Sequence, residues 1–283
     1  MSNILKAFIN IINNYQTTVN KLIGGNNRAN NMGDGLEEYI KNAFANTINE
    51  TDEQTRLEKF AQVYTYSGNK NNPPDLILKN SDAIEIKKLE SHSTAIALNS
   101  SYPKSKLYAD STMITTACRS CEQWSQKDML YIIGNVPKNT NQLKSLWFVY
   151  GDCFCADKEI YERIKDTISS GITSIPDVEF TDTNELGKVK KVDPLGITDL
   201  RIRGMWHIEN PMKIFDYIYR YDNAKNFQLI CLMKKEKYES LPLEDRQMIE
   251  NLGNTNVSVS DVRIKNPNNP VQLVDGVLLV FQI

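Results

Sequence analysis

The chain has 283 residues, 41% of them apolar and 24% charged, enough to bury a sizeable core in one large domain or two modest ones. A net charge of −2 excludes a uniformly basic nucleic-acid binder, though not a local basic cleft. No run approaches the ~20 apolar residues needed to cross a bilayer, so no membrane association is expected.

The opening "MSNILKAFINIINNYQ" is a poor signal peptide, because Asn10, Asn13 and Asn14 interrupt its apolar run. Ile4, Leu5, Phe8, Ile12 and Tyr15 follow helical spacing instead, and predict an amphipathic helix running to about Ile23. Five cysteines, an odd number without an export signal, fit reduced thiols and a cytoplasmic location. "GGNNRANNMGDG" reads as a Gly/Asn-rich loop. "LEEYIKNAFA" is a helix with Leu36, Tyr39, Ile40 and Phe44 on one face, and "LEKFAQVYTYSG" is a helix tail running into a strand. "NNPPDLILKNSDAIEIKKLE" is a hairpin. "DMLYIIGNV" and "LKSLWFVYGDCFC" are strands, being β-branched and aromatic runs bounded by Gly, Asn or Pro. "DKEIYERIKDTISSGI" is a helix, with Asp157 as N-cap and Gly171 as stop. After a turn-rich stretch from Pro176 to Lys191, late strands are expected at "NFQLICLM" and "GVLLVFQI".

The hairpin carries the chemistry. Side chains alternate along a strand, so Glu85 and Lys87 share one face and Ile84 and Ile86 the other. With the three-residue loop Lys79-Asn80-Ser81, Asp75 lies opposite Glu85. A four-residue loop would pair Asp75 with Ile86 and turn it to the apolar face. Two adjacent carboxylates disfavour each other's ionisation, and a hard divalent ion such as Mg²⁺ resolves the conflict. Such an ion polarises a phosphodiester and lowers the pKa of a bound water. Asp75 and Glu85 are then the metal-binding catalytic acids, with the Ile86 carbonyl as a further ligand. Lys87 places positive charge beside the scissile phosphate and holds or helps deprotonate the attacking water. The plain alternative is a surface strand whose Glu85 and Lys87 are merely solvated.

Asp75, Glu85 and Lys87 match the "PD…(D/E)xK" signature of a large nuclease superfamily. More specifically, "NRANNMGDGLEEYIKNAFA", "GNKNNPPDLILKNSDAIEIKKLE", "ALNSSYPKSKLYADSTMITTAC", "LWFVYGDCFCADKEIYERIK" and "DPLGITDLRIRGMWHIENP" together resemble type II restriction endonucleases of the NgoPII kind, in order from Asn26 to Pro211. The resemblance implies an α/β fold, a mixed central sheet flanked by helices, in one domain over residues 1–283. The catalytic core would cover about 26–175 and the recognition elements about 176–283. It further implies Mg²⁺-dependent cleavage of double-stranded DNA at a short palindrome, GGCC in enzymes of that kind, by a homodimer in a bacterial cytoplasm. The expected ends carry 5′-phosphates, and a cognate DNA methyltransferase is a functional companion rather than a bound subunit. In the superfamily an acid on the helix before the hairpin often joins the site, and the matching position is Glu37; its plain alternative is a first-turn acid favoured by the helix dipole.

For reading DNA, Arg201 and Arg203 share a face if "LRIRGMWHIENP" is a strand. Arginine contacts guanine O6 and N7 bidentately, which suits a G·C-rich site, although phosphate contacts or surface ion pairs are alternatives. His207 joins these candidate contacts as a neutral imidazole rather than a metal ligand, and Trp206 reads as core. Asn99 and Lys104, beside hydroxyls and Lys106, suit phosphate contacts, as does Arg28 between asparagines. Lys88 faces away from Lys87. Cys118-x-x-Cys121 with Cys153-x-Cys155 is a weak zinc pattern, because the second pair falls within an apolar strand. The rival functions are a structure-specific or repair nuclease on the same fold, and a DNA-binding protein that does not cut.

Overall fold

Apolar runs too long for one-sided strands dictate the architecture. "SLWFVY" and "QLICLM" are buried at every residue, as expected of strands covered on both faces of a sheet. The computed structural model describes residues 1–15, 17–19, 28–69, 72–176, 179–181, 186–252 and 256–283, with the side chains of residues 28–32 and 69 excepted.

In chain order the elements are α1 (Ile4–Asn13), α2 (Arg28–Ala45), α3 (Glu53–Val63), β1 (Tyr64–Asn69), β2 (Asn72–Leu78), β3 (Ala83–Leu89), β4 (Ile96–Ala97) and β5 (Lys106–Tyr108). Next come α4 (Thr116–Arg119), β6 (Gln126–Asn135), β7 (Ser145–Tyr150), α5 (Gly151–Phe154), α6 (Lys158–Thr173), β8 (Glu179–Thr181), β9 (Gly187–Lys190), β10 (Leu200–Ile202) and β11 (His207–Ile208). The chain closes with α7 (Pro211–Ile214), β12 (Gln228–Lys234), α8 (Lys235–Ser240), α9 (Leu243–Asn251), β13 (Val257–Asn266) and β14 (Asn269–Gln282).

Nine strands form a mixed sheet ordered β1-β2-β3-β6-β7-β12-β14-β13, with β5 added against β6. The β3–β6 and β7–β12 pairs are parallel and the other pairs antiparallel. The mixed α/β architecture with flanking helices is the expected one. A three-stranded sheet (β10-β9-β8) and the β11–β4 pair stand apart from it. Helix α2 packs against α1, α3 and β3. Its Leu36 sits over Gly134 of β6 so closely that a Cβ there would lie 2.6 Å from Leu36 Cδ2. Gly134 thus lets the helix settle onto the sheet.

Several boundaries differ from the sequence reading. Helix α1 ends at Asn13 with Asn14 as its C-cap, and the predicted end near Ile23 lies outside the described residues; Asn3 caps its start through the N–H groups of Leu5 and Lys6. Asn13 and Asn14 are poor helix formers followed soon by β-branched Thr17, Thr18 and Val19, and Thr18 bridges Gln142 instead. The segment read as a loop up to Gly35 is helical from Arg28, because burial of one α2 face outweighs poor Asn and Gly propensity. "GDCFC" leaves the strand at Gly151 for a helical turn. A Cβ on Gly151 would overlap the Lys104 carbonyl and lie 2.8 Å from that of Ser105. Helix α6 runs through Gly171 to Thr173, and Asp157 occupies the N-cap position without a side-chain cap bond. Strand β13, "VSVSDVRIKN", was not anticipated; its charged and hydroxyl residues conceal its alternation.

Candidate active site

The hairpin has the three-residue loop. Leu76 pairs with Ile84 and Ile77 with Ala83, and the Leu78 N–H donates to the Asp82 carbonyl at 2.9 Å. Carried one residue further, this register sets Asp75 across from Glu85. The Asp75 carboxylate reaches over to accept the Ile86 N–H at Oδ2, 2.6 Å away. Lys87 Nζ lies 2.5 Å from Glu85 Oε1. The three charged groups of the motif are therefore one cluster on the rim of the sheet, and the merely solvated strand does not describe them: Glu85 is only 9% exposed.

Burial and the neighbouring Glu85 carboxylate push the Asp75 carboxyl up to about 7 from its ordinary 3.8, against the pull of Lys87 and the Ile86 N–H. Lys87 behaves in the opposite way. Burial disfavours its charge, but Glu85, Asp75 and Glu37 outweigh burial and hold its pKa above the usual value. Lys87 is therefore held as an ammonium in this cluster.

The cluster opens into a cleft of about 590 Å³, to which Asp34, Glu37, Asp75, Ile86, Lys87 and Glu90 contribute. Glu37 comes from α2, where it pairs with Lys41 at 2.8 Å. Glu38, one residue on, turns away toward Asn42 and Arg56. Lys88 also lines the cleft, although alternation points it away from Lys87. The cleft lies at the end of β3 and opens to both of its sides, and Lys88 Nζ pairs there with Glu90 at 3.0 Å. Asp34 was missed in the sequence, yet it stands three residues before Glu37, within the helical spacing that places side chains together.

The residues fit a hard divalent ion. Glu85 Oε2 is buried with no hydrogen-bond partner, a costly state for a carboxylate oxygen and one that a cation relieves. Among the described residues no group of three or more His, Cys, Asp or Glu converges as a metal site. An ion here would thus take two carboxylates, and complete its shell with backbone oxygen, water and phosphate, as Mg²⁺ commonly does.

The predicted DNA contacts are spread more widely. Arg201 lies exposed on β10 opposite Lys188, and Arg203 is exposed just beyond the strand. His207 is exposed on β11, which pairs with β4 shortly after the catalytic strand. Asn99, exposed and at φ 53°, accepts the Trp206 N–H through its carbonyl at 2.8 Å. Trp206 is partly buried as expected, against the rings of Tyr102 and Tyr161. Arg28 begins α2, but its side chain lies outside the described residues. Lys104 corrects the phosphate expectation: it is 6% exposed, and its ammonium is bound to Ser101 Oγ and the Tyr102 carbonyl. A lysine sealed in this way presents no charge to a duplex surface.

Comparison with known proteins agrees with this geometry. The family model described as NgoPII restriction endonuclease matches residues 2–265. The type II restriction enzyme NgoPII of Neisseria gonorrhoeae is 45% identical over 281 residues, covering 99% of this chain and 100% of that protein. No solved structure matches. With likeness along nearly its full length, the chain belongs to the NgoPII restriction endonuclease family.

Proposed function

We propose that this protein hydrolyses both strands of duplex DNA at a short palindrome, with GGCC as the expected site, leaving 5′-phosphate ends. The observation that carries the reading is the clustering of Asp75, Glu85 and Lys87 beside one cleft that Asp75 and Lys87 line, with one Glu85 carboxylate oxygen buried without a hydrogen-bond partner. Asp75 and Glu85, with the Ile86 carbonyl, would hold Mg²⁺, and Glu37 borders the same cleft. When bound, the ion supplies a Lewis acid for the phosphodiester and a more acidic water. Lys87, kept charged by its acidic neighbours, lies where it stabilises negative charge growing on the phosphate and orients the attacking water. The Ile86 N–H fixes one Asp75 oxygen, so the rotamer of that acid is set before substrate arrives. Arg201 and Arg203 are the candidates for base contacts, with Asn99 and His207 nearby in the segment that β4 and β11 join. A palindrome cut on both strands calls for a two-fold homodimer, one site per strand. A bacterial cytoplasm, in company with a methyltransferase that protects host sites, is the setting this activity requires.

The test is digestion of a plasmid of known sequence with Mg²⁺, with and without chelator, by the natural chain and by Lys87→Ala. Discrete chelator-sensitive fragments are expected from the natural chain, and intact plasmid, with DNA binding retained, from the variant. Cleavage governed by DNA shape rather than sequence would favour a repair nuclease. Binding without cutting under every divalent ion would remove the enzyme reading.

A further inference from the structure

Lys104 is the most anomalous charge in the described structure. Its ammonium is buried, yet its hydrogen-bond acceptors are neutral: Ser101 Oγ, and the Tyr102 carbonyl at 3.1 Å. The Tyr102 ring lies below it, 4.7 Å from centroid to Nζ. Among the described residues no carboxylate comes within ion-pair distance of it. Burying an ammonium on such terms is costly, and a position that needed only packing would be served by methionine.

The surroundings suggest what the charge is for. Tyr131 stands beside Glu85 in the β3–β6 ladder, and its hydroxyl accepts the Lys104 N–H at 2.8 Å. The Lys104 backbone is thus joined through the Tyr131 side chain to the strand position beside Glu85, the acid whose Oε2 lacks a partner. Burial brings the Lys104 pKa down to about 8, and Glu85 is the foremost group resisting that fall. Tyr102 itself packs on Tyr161 and Trp206 with centroids 5.6 and 6.3 Å away. Trp206 in turn is clamped by two backbone hydrogen bonds, to Leu98 and Asn99. Below, Gly151 is the only residue type that lets the Lys104–Ser105 backbone come so close.

We propose that Lys104 is a positioning residue of the cleavage centre. It is a fixed buried cation behind Glu85 that partly balances the two motif acids and pins residues 98–105, and with them the Trp206 segment, to the catalytic strand. The proposal rests on the reading that Asp75, Glu85 and Lys87 cut DNA. It differs from a phosphate contact, which would need Lys104 at the surface, and from a filler, which would need no charge.

The test uses the full chain with Lys104→Met, alongside Lys87→Ala. Three quantities are measured: single-turnover cleavage at saturating DNA, DNA affinity with Ca²⁺ in place of Mg²⁺, and Ca²⁺ affinity by calorimetry without DNA. With Lys104→Met, cleavage slows roughly tenfold or more while DNA affinity stays within about twofold, a split that a phosphate contact would not give. Ca²⁺ binds about threefold tighter, since a positive charge has left the neighbourhood of Glu85. Weaker DNA binding at an unchanged rate, or no change in any quantity, overturns the proposal. Undiminished cutting by Lys87→Ala overturns the assignment of cutting to Asp75, Glu85 and Lys87, while the Ca²⁺ titration still judges Lys104 on its own. If Lys104→Met does not fold, Ser101→Ala decides: it keeps the charge but removes one acceptor, and an unchanged rate in that variant also overturns the proposal.

Discussion

Replacing Asp75 with asparagine separates what the site costs from what it does. The folded protein holds this carboxyl at about 7 against an ordinary 3.8. At about 1.4 kcal/mol per pH unit, that difference amounts to at most about 4 kcal/mol. The sign follows from proton counts. Between those two values the folded chain binds more protons than the unfolded one, so stability is full at low pH and is lost as pH rises through about 7. Asparagine keeps an acceptor for the Ile86 N–H but carries no charge, and it also forgoes attraction to Lys87. We expect a net gain of about 2 kcal/mol at pH 8 in chelator, or about 5 °C in melting temperature, and almost none at pH 5.5. Thermal unfolding of both proteins at the two pH values measures it. Mg²⁺ should close the gap at pH 8 by stabilising the natural chain alone, and Asp75→Asn should not cut DNA. A variant no more stable at pH 8, or equally stabilised at both pH values, would refute the reasoning.

Lys237→Met should cost about 3 kcal/mol in denaturant unfolding, because Lys237 lies 2.8 Å from buried Asp82 and 2.7 Å from Asp128. Although burial resists it, Lys237 and Lys106 hold Asp128 below its usual range, so the loss should shrink as pH falls below 3.8 and Asp128 takes up a proton. Gly151→Ala should destabilise by about 2 kcal/mol or more, since the new Cβ meets backbone carbonyls rather than a yielding side chain. Glu37→Gln should slow cleavage roughly tenfold and raise the Mg²⁺ concentration needed for half-maximal rate; a shift in neither would take Glu37 out of the site.

The hairpin was legible because its signal is local. Three loop residues set the register, the register sets the face of Asp75, and both strands are short enough for alternation to hold. Residues 84 and 86 were correctly turned inward, and both are buried. What escaped depends on distant chain. The start of α2 at Arg28 is fixed by packing on α1 and β3, which outweighs a run of asparagines and glycines. Lys104 resembled any lysine among hydroxyls, because only the fold reveals that Tyr102, Tyr131 and the Gly151 turn enclose it. Asp34 was within reach, since helical spacing from Glu37 alone would have found it. Strand β13 was hidden by a sequence in which exposure, not apolar alternation, prevails.

The pairing order of the large sheet carries a consequence for timing. The charged hairpin is complete at Leu89, but β12, which joins β7 to the β14–β13 pair, comes much later in the chain. A ribosome therefore releases the cutting groups before β6, their parallel neighbour, and well over a hundred residues before β12, and parallel pairings form later than the local hairpin. Nascent fragments that end before β12 carry the acids and the lysine without the complete sheet behind them.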